Sequence, residues 1–368
     1  MHVFETGQTL RQIQALTVFD RGIDFGLLLE NTYEKCGTPH FYRGSSPISN
    51  IMSDIFNTTS RPKPGLFFTR GDRNDPRMGE IVPTDEKQYE SADIVILGCP
   101  QDEGVKRNHG RAGAALAPDA IREQFYKLTP MGIKRRVFDL GDVNVTGTLE
   151  EIHDVHTSVV MQVLQDGKRL IVLGGGNDIS YPDGKAMAEV FGPDAWIGLN
   201  IDSHLDVRAD QPRNSGTPYR QLLEEGHLLP GSFYEVGYQS HFCSPVYYDY
   251  LKKLGVNRIS LEVLRSHETV DQEIRDRVRQ KFINQSSSLN TFFGFDIDAL
   301  RSADAPGTSA PSPIGLRAGE FITLVKYAAS LANTKIIELS EVNPNFDIDN
   351  RTTKLVAIGM HRFCSHVA

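Results

Sequence analysis

Short apolar runs recur along the chain, and most end in turn residues. They cover 93–99 (DIVILGC), 137–140, 169–173 (RLIVL), 196–201 (WIGLNI), 233–237, 258–261, 291–295 (TFFGF) and 335–339 (KIIEL). Their length and β-branched content suit strands buried on both faces. Helical periodicity lies between them. One stretch follows Pro118 (PDAIREQFYKL), a second is IHDVHTSVVMQVLQDG, and a third, AGEFITLVKYAASLAN, precedes the last run. Strands alternating with helices predict a three-layer α/β/α fold around a mainly parallel sheet of about eight strands.

Residues 1–90 read differently, with a helix-like stretch at 9–17, many Gly, Pro and Ser interruptions, and RPKPG at 61–65. They are expected to form an N-terminal extension packed on a main α/β domain spanning 91–368. The C-terminal HRFCSH reads as a tail, with His361 and His366 as candidates for a subunit interface.

Composition narrows the function classes. Lys and Arg total 39 against 47 Asp and Glu, a formal charge of −8. A mildly acidic chain has no electrostatic reason to seek nucleic acid or anionic lipid. No run is long and apolar enough to span a bilayer, and the N-terminus lacks a signal-peptide pattern. A cytoplasmic protein acting on a small molecule is expected. The four cysteines, Cys36, Cys99, Cys243 and Cys364, form no C-x-x-C pair, so a structural zinc site is not indicated. They read as reduced thiols, with Cys36 and Cys243 the better candidates for a redox pair because both lie in loop-like stretches.

Parallel sheets bind ligands outside the carboxyl ends of their strands. Five of the apolar runs lead there into unusual chemistry: PQDEGVKRNHGRAGA after 93–99, GGGND after 169–173, Asp202-SHLD after 196–201, DID after 291–295, and SEVNP after 335–339. In an extended segment, side chains at i, i+2 and i+4 share a face, which would put Asp202, His204 and Asp206 together. Asp296 and Asp298 repeat the device. Four converging carboxylates repel one another unless a cation neutralises them. Oxygen donors with one imidazole suit Mn²⁺ better than zinc. The GGG turn lacks the Lys-Ser/Thr of a phosphate-binding loop, and no nucleophile elbow surrounds Ser180. His109, His153, His156, His227, His241, His267, His361 and His366 show no metal-ligand spacing and read as surface or satisfied core residues.

At these residues the chain resembles the ureohydrolases, the family of arginase, agmatinase and formimidoylglutamase. The likeness runs from about residue 93 to the C-terminus. It rests on GGGND (174–178), DSHLD (202–206), FDIDAL…APGTSAP (295–311) and EVNP (341–344), in that order. DEGVKRNHGRAGA (102–114), SGTPYRQ (215–221) and APGTSAP lean toward the formimidoylglutamase branch. Arginase's D-x-D-x-x-D-P is not kept, since ALRSAD follows Asp298. The resemblance implies two Mn²⁺ ions per chain, hydrolysis of a C–N bond in a linear amidine, and a homo-oligomer, trimer or hexamer. It implies that Asp202 and Asp296 bridge the ions, that His204 and Asp298 complete one shell, and that Asp206 completes the other.

The partner of Asp206 departs from the pattern: relatives usually place His after the glycine turn, and this chain has Asn177. Ligation through its amide oxygen is the reading carried forward, beside a weak site and a non-catalytic relative. Asp178 fits the register less well. Asp206 would also orient the attacking water, and Glu341 would pair with the amidinium nitrogens. For the carboxylates of the substrate, Arg208 is the first candidate, with Arg220, Arg111 and Asn108 behind it. A guanidine hydrolase releasing urea, a single-ion deacetylase and a metal-free structural relative are the competing readings.

Overall fold

A computed structural model of the protein describes residues 55–285 and 289–366, the side chains of 282–285 excepted. The stretch at 9–17 and Cys36 lie outside the described residues. The strands are β1 (Thr59–Ser60), β2 (Ile94–Gly98), β3 (Val137–Val143), β4 (Arg169–Leu173), β5 (Trp196–Ile201), β6 (Phe233–Tyr238), β7 (Asn257–Ser260), β8 (Asn290–Asp296) and β9 (Thr334–Ser340). They form one sheet in the order β1-β3-β2-β4-β9-β8-β5-β6-β7. All eight strands from β2 onward pair in parallel, and only the two-residue β1 runs antiparallel, against β3. The eight expected strands are present, and β1 is the addition.

Alternation within the strands feeds two separate cores. Ile94 and Ile96 of β2, Ile171 and Leu173 of β4, and Phe293 and Phe295 of β8 join one buried cluster. Their neighbours Val95, Leu97, Leu170, Val172 and Phe292 join the other. Helices Ala117–Phe125, Ala318–Ser330 and Arg351–Ser365 cover the first face, and Leu149–Gln165, Ser180–Phe191 and Pro218–Glu224 cover the second. Each fully buried aromatic contributes roughly 1.5–3 kcal/mol, so both faces supply stability. This is the three-layer α/β/α arrangement expected.

The three predicted helices form, and Leu149–Gln165 shows why. Thr148 caps it, accepting from the Glu151 amide at 3.3 Å, while the Glu151 carboxylate accepts from the Thr148 amide at 2.7 Å. Its buried positions Leu149, Ile152, His153, His156, Val159, Val160 and Val163 follow the helical repeat. The C-terminal tail reading is corrected. HRFC closes the helix Arg351–Ser365, where Phe363 and Cys364 are buried because they sit on its apolar face. His361 Nε2 bonds the Thr129 carbonyl at 2.9 Å and is thereby occupied within the chain.

Candidate metal centre

The five runs singled out by their polar endings become β2, β4, β9, β8 and β5, which are five consecutive strands of the sheet. Their carboxyl ends therefore open on one place. The turn after β4 owes its course to glycine: a Cβ on Gly175 would collide with the Gln101 carbonyl oxygen of the loop after β2. That close approach brings the β4 turn and the β2 loop together.

Two overlapping triads stand at this edge. Asp202, His204 and Asp298 form one, and Asp202, Asp206 and Asp296 the other, each with its ligand atoms within 4.8 Å of one another. Both Asp-x-Asp/His pairs are built alike. The Asp202 carboxylate accepts from the His204 amide at 2.7 Å, and the Asp296 carboxylate accepts from the Asp298 amide at 2.8 Å. The convergence thus comes from turns, not from the extended alternation expected. Asp206 has φ 43°, which no strand residue adopts. Glu341, at φ 61°, is also left-handed, a costly conformation for a residue with a side chain.

Electrostatics divides the triads. Burial pushes His204 toward its neutral form, but Asp298 and Asp202 overcome it and raise its pKa strongly. The imidazole lies 3.3 Å from Asp202 and 3.4 Å from Asp298. Asp202 is held below its usual range because His204 outweighs its own burial. Burial and then Asp202 drive Asp206 well above that range. Asp296 is raised likewise by burial, then by Asp298 and Asp202. Among the described residues no lysine or arginine forms an ion pair with any of these acids. A buried carboxylate set with one imidazole as its sole neutralising partner fits divalent cations with a preference for oxygen.

Asn177 stands beside the second triad. Its Oδ1 accepts from the Ser180 hydroxyl at 3.0 Å and the Ser340 hydroxyl at 2.9 Å, and its Nδ2 donates to Asp206 at 2.6 Å. The nitrogen end, not the oxygen, faces the acids, because the two hydroxyls hold the oxygen on the far side. Asp178 is turned away as well, accepting from Gln101 at 2.6 Å and lying 2.8 Å from His153. Glu341 accepts from the Asn177 amide at 2.8 Å through Oε1, while Oε2 is buried with no hydrogen-bond partner. Burial raises its pKa to about 8.

The triads open into a cavity of about 340 Å³, lined by Asp206, Asp296, Asp298, Glu341, Arg208, Arg111, Asn108 and Cys243, among others. Arg208 is exposed there, with no ion pair or side-chain hydrogen bond among the described residues. Arg111 stacks 3.9 Å over Phe346, and Asn108 donates to Ser215 at 3.1 Å. Arg220 is not among the residues that line this cavity. It is held by Glu224 at 2.9 Å, the Val207 carbonyl at 3.2 Å and the Tyr250 ring at 4.2 Å.

Sequence reasoning missed the polar layer beneath the triads. Asn200, Glu235, Ser180, Glu338 and Asp183 are all buried, beside His153 and His156, which are partnered core residues as expected. His156 lies 2.8 Å from Asp183, and Asn200 donates to Asp202 at 3.3 Å. The available signal was the acid inside each of two apolar runs, Glu235 and Glu338. Isolated charges in a buried strand need partners.

A parallel sheet carrying a convergent carboxylate–imidazole set at its carboxyl edge defines a metal-dependent hydrolase. The Arginase family model matches residues 92–364, and the chain belongs to the arginase family. It is 35% identical to the formimidoylglutamase of Staphylococcus aureus over 286 residues, 76% of this chain and 88% of that protein. Trypanosoma cruzi formiminoglutamase with Mn²⁺ superposes with a TM-score of 0.70 at 34% identity, covering 79% of this chain and 97% of that one. Formimidoylglutamase from Bacillus subtilis gives 0.73 at 25% identity, covering 81% and 93%. Among the described residues no helix is long and apolar enough to cross a membrane.

Proposed function

We propose that the protein is a binuclear manganese hydrolase that cleaves N-formimidoyl-L-glutamate to L-glutamate and formamide, a step of histidine degradation in the cytoplasm. The observation that carries this reading is the pair of triads joined at Asp202, whose acids have too little positive charge among themselves. Asp202, His204, Asp206, Asp296 and Asp298 are the residues that would hold the ions. Bound divalent ions supply a water of near-neutral pKa and positive charge for the developing anion.

The chain's own residues do the rest. Asp206, placed at the cavity wall by its left-handed backbone, accepts a hydrogen bond from the attacking water and orients it. Glu341 offers its unpartnered Oε2 to an N–H of the substrate's amidinium, which suits a carboxylate buried with a free lone pair. Arg208, unpaired at the cavity mouth, meets a substrate carboxylate, and Arg111 and Asn108 stand on the same wall. A trimer or hexamer of this chain is the assembly that accompanies this reading.

The test is to load the protein with Mn²⁺, remove the excess and count ions per chain. The same sample is assayed with N-formimidoyl-glutamate, arginine and agmatine. Close to two ions and formamide from the first substrate are expected. Urea from a guanidine would move the activity to another branch of the family. No metal and no turnover would leave a non-catalytic relative.

A further inference from the structure

The buried layer beneath Asn177 contains a conflict over protons. The Ser180 hydroxyl lies 2.9 and 3.0 Å from the two Glu338 oxygens and 3.0 Å from Asn177 Oδ1. It has one proton for these two claimants, and the Tyr219 hydroxyl donates to it from 3.2 Å. Ser340 also donates to Asn177 Oδ1, at 2.9 Å, and lies close enough to Glu338 to lower the pKa of its carboxyl. Glu338 is fully buried beside Asp183, which is paired in turn with His156.

The two ends of a carboxamide have the same shape, so packing does not choose between them. Hydrogen bonds do. Serine protons aimed at Asn177 hold its oxygen and leave the NH₂ on Asp206, as seen here. Serine protons aimed at Glu338 leave lone pairs for the NH₂, and a half-turn of the carboxamide then sets the oxygen beside Asp206. An amide oxygen is a ligand for a hard cation, whereas an NH₂ group is not.

We propose that Glu338 is a positioning residue: acting through the Ser180 and Ser340 hydroxyls, it sets which end of the Asn177 carboxamide faces the acidic cluster, and with it the affinity of the nearer ion. This rests on the manganese reading. In the structure the serines hold the amide oxygen; with an ion at the site, a carboxylate at 338 would take the serine protons and free that oxygen for the ion. A glutamine at 338 offers its own NH₂ to the serines and locks them onto Asn177 Oδ1.

The experiment is a Mn²⁺ titration by calorimetry with metal analysis, on the wild type, Glu338→Gln, Ser180→Ala and Asn177→His. Glu338→Gln is expected to weaken one of the two ions about tenfold or more and leave the other unchanged, consistent with the effect of an outer-shell partner. In the Asn177→His background the same substitution is expected to change neither ion by more than about twofold, because an imidazole presents no oxygen end to orient. Equal weakening of both ions, or the same loss in the Asn177→His background, overturns the proposal. Ser180→Ala, which keeps the acid, is expected to weaken the same ion; it decides the matter where Glu338→Gln does not fold.

A second readout needs no metal. In metal-free protein labelled with ¹⁵N-asparagine, the Asn177 side-chain resonances, identified by their loss in Asn177→His, are expected to shift in Ser180→Ala and Glu338→Gln. Unmoved resonances overturn the relay. Shifted resonances in a wild type that binds no Mn²⁺ would instead sink the metal reading alone.

Discussion

The two triads share Asp202 and differ in what balances their charge. On one side His204 lies between Asp202 and Asp298, whose charges raise its pKa strongly despite its burial. On the other side Asp206 and Asp296 stand beside Asp202 with no ion pair of their own among the described residues, and the Asn177 amide donates to Asp206. The first triad carries its own counter-charge and must release a proton to take an ion. The second carries no counter-charge; its acids are driven toward their neutral, protonated forms instead, and those protons must leave when an ion is taken. The lesson is that similar ligand sets on one sheet edge need not be electrostatically equivalent.

The hardest way to break this comparison is to remove the shared residue. Asp202→Asn should cost both ions and lower kcat by ~10³-fold or more, since the ions supply several kcal/mol of transition-state stabilisation. Metal analysis together with formamide release checks it, and retention of either ion would show that the triads are independent. Next in size is Glu341→Gln. It should lower kcat/KM by roughly 10- to 100-fold, the worth of a charge-assisted hydrogen bond, with the ion count unchanged. Loss of an ion in that variant would mean that Glu341 supports the second triad and not the substrate.

Acidity offers a third test. Asp206 and Asp296 have folded-state pKa values raised above their unfolded values, and so has His204. A group of this kind stabilises the fold fully below its unfolded pKa and loses that contribution as pH rises toward the folded one. The carboxyl window therefore opens near pH 4, and the imidazole adds to it from about pH 6.5. In chelator, the melting temperature is expected to fall by roughly 5 °C or more between pH 5 and pH 8. Mn²⁺ should reverse most of that fall at pH 8. A flat profile in chelator would dismiss the electrostatic difference between the triads. The smallest effects are expected at the rim. Arg208→Ala should raise KM about threefold to tenfold with kcat unchanged, whereas Arg220→Ala should change neither by more than about twofold.

Much of this was legible in the sequence. Buried parallel strands announce themselves as short apolar runs, and all eight did so. Asp202, His204, Asp206, Asp296 and Asp298 could be picked out because chemistry clustered after those runs. What stayed hidden had physical reasons. The helix Ser180–Phe191 contains Pro182 and Gly184, which mask its periodicity. The helix Arg351–Ser365 begins with a left-handed Asn350 and ends in HRFC, whose polar letters conceal Phe363 and Cys364 on the buried face. Glu338 disappeared into an apolar run because one acid among isoleucines and leucines does not change the strand reading. The orientation of Asn177 depends on Ser180 and Ser340, which are 160 residues apart in the chain and meet only across β4 and β9.

The strand order has a consequence for synthesis. β4 and β5 are neighbours in the chain, but β9 and β8 lie between them in the sheet. A nascent chain that has emerged only as far as β7 holds two half-sheets, each with a bare edge, and the gap is filled by the last strands to leave the ribosome. Asp202, His204 and Asp206 are then waiting on one side of that gap without Asp296 and Asp298. Ion capture is therefore a late event, one that waits until β8 has been made and has paired with β5, bringing Asp296 and Asp298 to Asp202.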